Sequence, residues 1–158
     1  MLYVARAAIE GRRPAGRYGR IARDAIFTAE EREFLQAPAK LSQRFKLRAE
    51  AALPLFWALG YVRQMRWPAN TLSAEEFWAH LAGTDFLNFV SDSQPVAMAA
   101  IAQEADLITR LSRASEGAGV HPGVIGERRL ALDWLTNSGP QADWDALDRG
   151  LVTPASRP

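Results

Sequence analysis

The sequence has 158 residues, a formal net charge of +1 and no cysteine. Its length suits one domain with a sizeable buried core, and the missing thiols exclude disulfides, thiolate metal sites and cysteine nucleophiles. The longest apolar run, residues 51–62, is shorter than the ~20 residues that a membrane span needs. The first residues lack the pattern of a secretory signal, so we expect a cytoplasmic protein with no membrane segment.

The start of the chain combines helix patterns with many arginines. Residues 2–10 predict a first helix, residues 11–19 a loop and residues 18–26 a second short helical stretch. Glu10 is the only acid among six arginines, which are Arg6, Arg12, Arg13, Arg17, Arg20 and Arg23. Such a run could neutralise nucleic-acid phosphates. A solvated face is its commoner meaning, and no helix-turn-helix spacing supports the sharper interpretation.

Two capping boxes mark helix starts further along. Thr28-Ala-Glu-Glu31 and Ser73-Ala-Glu-Glu76 each place a hydroxyl and a carboxylate where they can satisfy free backbone N–H groups of a first turn. We therefore predict a helix over residues 29–36 and another from about residue 74 to Gly83.

The segment over residues 40–62 is the most apolar part of the chain. Its second half, residues 49–62, is apolar on every side apart from Glu50, and a helix that is apolar all round is usually buried. Pro54 cannot donate to the carbonyl four residues back, which predicts a kink or two helices that meet there. We expect a buried central helix.

Two long helices are predicted after it. Pro95 suits a first helical position, and an apolar stripe then runs to about Ala114 through Met98, Ile101, Ala105 and Ile108. A glycine-rich loop over residues 117–123 precedes a last helix over residues 122–136, which Asn137-Ser-Gly-Pro140 ends.

These patterns predict an all-α, single-domain compact multi-helix bundle around a buried central helix. Alternating runs rich in β-branched residues, which would indicate strands, are missing. The bundle is expected over residues 1–150, followed by a flexible tail over residues 151–158.

Several segments resemble a known family in order along the chain. Glu50-Ala-Ala-Leu-Pro-Leu-Phe-Trp-Ala-Leu-Gly60 resembles the E-A-x-x-x-L-x-W-A-L-G signature of the bacterial domain-of-unknown-function family 4272. Residues 30–35, 104–111 and 127–135 resemble its E-x-x-F-L, E-A-D-x-I-x-R-L and E-R-x-x-A-L-x-W-L helices, and Trp144-Asp145 matches its closing pair. The resemblance implies an architecture and brings no activity, ligand or partner with it.

Four positions depart from that family's usual pattern. Leu47 stands where the family commonly carries Trp, Ser112 and Arg113 where it carries a His-Trp pair, and Arg129 where a His is often seen. If those positions line a site in the family, the resemblance implies that this chain has altered it.

One set of charged residues occurs in otherwise apolar helices: Glu50, Glu104, Asp106, Arg110, Glu127 and Arg128. Charges rarely occupy such surroundings unpaired. They could line a polar pocket in which carboxylates with raised pKa do acid–base chemistry and arginines hold an anion. They could instead form an interhelical ion-pair network that fixes helix register. We favour the network.

No pattern indicates a metal or cofactor. His80 and His121 are the only histidines, and neither belongs to an H-E-x-x-H motif. A G-x-S-x-G elbow is missing, and the glycine loop is not a dinucleotide fingerprint. We therefore predict no metal and no cofactor, while the sequence leaves open whether the chain is an enzyme.

Two of the five tryptophans are candidates for an interaction surface. Trp57 and Trp134 fall inside apolar helix segments, whereas loop residues flank Trp67 and Trp144, and exposed aromatics can anchor a partner. Our leading hypothesis is a non-catalytic protein-binding or accessory module, with toxin neutralisation as one version. A small-molecule binder or enzyme using the charged set is the alternative, and a nucleic-acid binder the further one. The sequence does not fix an oligomeric state.

Overall fold

The computed structural model contains five helices and no strand among the residues it describes, which confirms the all-α prediction. Those residues are 2–14, 27–38, 45–73, 76–77, 79, 91–114, 118–137 and 144. The helices are α1 (Leu2–Glu10), α2 (Ala29–Gln36), α3 (Arg48–Ala58), α4 (Met98–Arg113) and α5 (Pro122–Asn137). The helix predicted over residues 18–26 and the tail at residues 151–158 lie outside the described residues.

Both capping boxes are present. The Thr28 hydroxyl accepts from the Glu31 N–H at 3.2 Å, while the Glu31 carboxylate accepts from the Thr28 N–H at 3.1 Å. Ser73 and Glu76 form the same reciprocal pair, at 3.1 and 2.7 Å. Most of the helix predicted after Ser73 lies outside the described residues.

The predicted buried central helix is α3. Each of residues 48–54 exposes 3% or less of its surface, and α3 packs against both α1 and α5. Its apolar side chains enter three separate clusters: Ala51 contacts Trp144, Ala52 and Leu53 lie with Phe77, and Ala58 belongs to the cluster shared by α4 and α5. The helix continues through Pro54, so the alternative of two helices that meet at this residue was wrong.

A glycine ends α3. The Gly60 N–H donates to the Trp57 carbonyl at 2.9 Å and the Tyr61 N–H donates to the Phe56 carbonyl at 2.9 Å. Gly60 has a φ of +83°, and these two bonds make a Schellman motif, in which a left-handed residue satisfies carbonyls that the helix leaves free. The Phe56 and Tyr61 rings meet edge to face, with centroids 6.2 Å apart.

Pro95 does not start a helix, because the backbone N–H groups on either side of it form hydrogen bonds to the end of α3. The Gln94 N–H donates to the Leu59 carbonyl at 3.0 Å, and the Val96 N–H donates to the Ala58 carbonyl at 2.9 Å. Residues 94–96 therefore run along the end of α3, and α4 begins only at Met98. Met98 itself is 60% exposed, so the buried stripe of α4 starts at Ile101.

The last two predicted helices are both present, and they pack against each other. Ile101 and Ile108 of α4 contact Ile125 and Leu132 of α5 in one core cluster, and α5 ends within one residue of the predicted stop. The His121 imidazole accepts from the Val124 N–H at 3.3 Å and so caps the start of α5. Among the described residues, no helix is long and apolar enough to cross a membrane.

Candidate functional site

A buried ion pair joins the central helix to the last helix. The Nε and Nη2 atoms of Arg128 on α5 donate to Oε2 of Glu50 on α3 at 3.0 and 2.9 Å. Glu50 is 0% and Arg128 1% exposed. Because both N–H groups reach one oxygen, the pair fixes the direction as well as the separation of the two side chains.

The remaining polar atoms of this pair hold a loop. Glu50 Oε1 accepts from the Leu72 N–H and lies 3.6 Å from the Arg66 guanidinium. Arg128 Nη1 donates to the Arg66 carbonyl at 2.6 Å. The buried charges therefore satisfy backbone groups of residues 61–73, a segment without regular secondary structure, as buried polar groups generally require.

A second ion pair links the same two helices. Arg48 Nη1 lies 3.1 Å from Glu127 Oε2, and the side chains are 1% and 14% exposed. The Arg48 guanidinium also lies 5.5 Å from the Phe45 ring centroid and 6.0 Å from that of Trp144, within reach of cation–π attraction. No sequence pattern marks Arg48 as unusual.

The structure does not assemble the six predicted charged residues around one pocket. Asp106 and Arg110 pair with each other at 3.0 Å on the surface of α4, where both are about two-thirds exposed. Glu50, Glu127 and Arg128 belong to the buried interhelical pairs. These contacts favour the structural network over a catalytic pocket, while Glu104 occupies a different setting.

Glu104 faces a cleft of about 350 Å³ between residues 63–68 and α4. Burial raises the pKa of its carboxyl above the usual value, and the positive charge of Arg128 offsets part of that rise. Around Glu104, the cleft combines cationic and apolar side chains, including Arg63, Met65, Arg66, Trp67, Leu107 and Leu111. Such a surface can hold an anion and an apolar group side by side.

Trp67 is exposed on a backbone that is held in place. Its side chain is 53% exposed, as expected for a residue predicted at an interaction surface. The residues on either side are fixed, because the Arg66 carbonyl accepts from Arg128 at 2.6 Å and the Pro68 carbonyl accepts from the His121 N–H at 2.7 Å. The loop thus presents an aromatic ring from a rigid base.

Trp144 was predicted at the surface, and this placement is wrong. It is only 8% exposed and lies in a cluster with Ala51 and Ala131, with its ring centroid 6.2 Å from that of Trp134. The two alanines leave room that a large ring fills. Trp144 therefore contributes to the core and presents no anchor to a partner.

The described residues hold no group of three or more His, Asp or Glu side chains that could bind a metal ion. They define an all-α domain in which buried ion pairs fix a loop beside an open cleft. The chain belongs to the family described as Domain of unknown function (DUF4272), whose model matches residues 2–147. The match confirms the resemblance found in the sequence. No curated protein and no solved structure is detectably similar to the chain.

Proposed function

We propose that the chain is a non-catalytic recognition module that binds another protein through the surface around Trp67. The observation that carries this proposal is a tryptophan that is 53% exposed on a loop fixed from both sides. Tryptophan is among the residues that most often dominate binding energy. A fixed loop loses little conformational freedom when a partner binds.

The two buried charges, Glu50 and Arg128, favour a structural role over an enzymatic one. The polar atoms of Glu50 and Arg128 form hydrogen bonds with each other and with the backbone of the loop. A general acid or base must reach the proton that it transfers, and a carboxylate that is 0% exposed offers no such access. Their work is to hold Trp67 in position.

Binding of a small molecule is a second candidate function, because the cleft has a suitable size. Its volume of about 350 Å³ falls within the range of roughly 300–1,000 Å³ that is usual for ligand pockets. The nucleic-acid alternative has less support. Two of the N-terminal arginines, Arg6 and Arg12, contact the Glu10 carboxylate, which reduces the positive charge that they offer to phosphates.

We place the interaction in the bacterial cytoplasm, which a cysteine-free sequence favours. An accessory role such as the neutralisation of a toxin would use a surface of this kind. Toxin neutralisation predicts a tight, specific partner rather than a broad set of clients.

Affinity purification from the source cells with two matched variants tests the proposal. Trp67→Ala removes the proposed anchor, and Met98→Ala removes an equally exposed apolar side chain that does not line the cleft. We expect a specific protein that the wild type and Met98→Ala retain and that Trp67→Ala loses. Equal retention by all three forms would refute a role for Trp67.

A further inference from the structure

The cleft beside Trp67 carries an excess of positive charge. Arg128 at its base is neutralised by Glu50, to which it donates two hydrogen bonds. The Arg66 guanidinium lies further from the Glu50 carboxylate than that of Arg128 does, at 3.6 Å. It donates one hydrogen bond to the Asn70 carbonyl at 3.1 Å. A guanidinium has five N–H donors, so Arg66 keeps donors for a ligand.

Arg63 adds a second cation to the cleft. Arg63 lines the same cleft as Arg66, and it is exposed. Planar guanidinium groups are well suited to carboxylates, which they bind through paired N–H donors. The cleft can therefore attract a carboxylate at its rim.

The remaining lining limits what else the ligand can be. Met65, Trp67, Leu107 and Leu111 supply an apolar surface next to the arginines. Glu104 places a carboxylate in the same cleft, which repels a doubly charged phosphate more strongly than a singly charged carboxylate. The volume of about 350 Å³ lies near the lower end of the range for binding pockets, which suits a short segment.

We infer that this cleft binds a short segment of the partner in which an acidic side chain stands next to an apolar one. Arg63 and Arg66 contact the carboxylate, and the apolar neighbour packs on Met65 and Trp67. The inference rests on the proposed function, since it names the chemistry of the partner at the same surface. The attraction between the arginines and the acidic side chain depends on exposed charges and therefore weakens as salt rises.

Two blocked peptides that differ only in charge test the inference. One is acetyl-Gly-Asp-Phe-Glu-Leu-Gly-amide, and the other carries Asn and Gln in place of Asp and Glu. Each is titrated into the full chain while the Trp67 indole N–H signal is followed by NMR, with Trp67→Phe used to assign it. We expect the acidic peptide to bind at least five-fold more tightly at low salt and to lose most of that advantage at high salt. Equal affinities would overturn the inference.

Three variants locate the effect. Arg63→Gln should weaken binding of the acidic peptide several-fold and leave the amide peptide unchanged, whereas Glu104→Gln should strengthen binding of the acidic peptide because it removes a repelling charge. Arg110→Gln is the matched control, since Arg110 is 67% exposed but lies outside the cleft. Equal losses in Arg63→Gln and Arg110→Gln would overturn the assignment to this cleft. The assignment would also be overturned if inorganic phosphate shifted the Trp67 indole signal with an affinity equal to that of the acidic peptide.

The outcomes separate this inference from the proposed function. If a partner is retained through Trp67 but the two peptides bind equally, the acidic recognition is wrong and the recognition module stands. If the acidic peptide is preferred but no partner depends on Trp67, the protein-binding proposal is wrong and the carboxylate preference of the cleft stands.

Discussion

Removal of the Glu50 carboxylate should destabilise the fold severely. In Glu50→Ala the guanidinium of Arg128, 1% exposed, would stay buried without its counter-charge. Loss of one member of a buried pair costs roughly 3–5 kcal/mol. Each kcal/mol lowers the Tm of a chain of this size by about 2–4 °C, so the Tm should fall by about 6–20 °C.

A double-mutant cycle shows whether the loss of stability comes from the Glu50–Arg128 ion pair itself. Glu50→Leu and Arg128→Met are made singly and together, and the free energy of unfolding is measured by urea titration followed by far-UV circular dichroism. The double variant should be clearly more stable than the sum of the single losses predicts, because no charge then remains buried alone. It should not regain full stability, since the Leu72 N–H and the Arg66 carbonyl also lose a partner.

An exposed pair supplies the control for this cycle. Asp106→Ala breaks the contact with Arg110, in which both side chains are about two-thirds exposed, and should cost about 0–1 kcal/mol. If Glu50→Ala is no more destabilising than Asp106→Ala, then Glu50 is not held in a buried pair and our account of the central helix is refuted.

Three further predictions use the same unfolding assay. Gly60→Ala should cost about 2–5 kcal/mol, because a left-handed φ strains an L-residue and the added Cβ would lie 2.3 Å from the Gln94 carbonyl oxygen. Gly11→Ala, with similar φ but open space around it, should cost only about 1–2 kcal/mol, and equal losses would contradict the close approach. Burial raises the pKa of Glu104, so the folded state holds its proton more tightly than the unfolded chain and stability is lost as pH rises from the usual value near 4.5 through the raised one. Glu104→Gln should remove that loss, so its free energy of unfolding should rise relative to that of the wild type as pH rises through this window. Parallel pH profiles of the two proteins would disprove this prediction. His121→Ala should cost about 1 kcal/mol and His121→Asn much less, since asparagine keeps an acceptor for the helix start; equal losses would rule out the cap.

The sequence allowed the central helix to be predicted because its signal is local. Apart from Glu50, residues 49–62 are apolar on every side, and such a segment has no face that favours water. The capping boxes were equally local, since each involves residues three apart. The fold class and the buried position of α3 followed from these patterns.

Partners far apart along the chain could not be derived in this way. Glu50 and Arg128 are 78 residues apart, and the sequence marked both as unusual charges without showing that they meet. Asp106 was grouped with them because it is also charged within an apolar helix. The apolar stripe of α4 runs through Ile101, Ala105 and Ile108, and Asp106 lies off that stripe, where its side chain is about two-thirds exposed.

Arg48 was overlooked and Trp144 was wrongly placed at the surface for a related reason. Arg48 begins a helix, where an arginine usually reaches solvent, and Trp144 follows residues typical of a loop. The structure brings them together, with the Arg48 guanidinium 6.0 Å from the Trp144 ring. Small side chains at Ala51 and Ala131 make room for the ring, and this complementarity between distant segments leaves no local pattern.

Pro95 shows a local rule that tertiary contacts override. Proline at a first helical position is a common start signal. Here the N–H groups of Gln94 and Val96 bond to the end of α3, and Pro95, which has no N–H, loses nothing by lying between them.

Amide hydrogen exchange tests most directly whether α3 is the interior helix on which the fixed loop and its exposed tryptophan depend. The amides of residues 51–58, apart from Pro54, should exchange only through global unfolding, so that their opening free energy equals that measured by urea titration. The N–H groups of residues 63–67, most of which are exposed, should exchange far faster. Equally fast exchange in α3 would contradict the account.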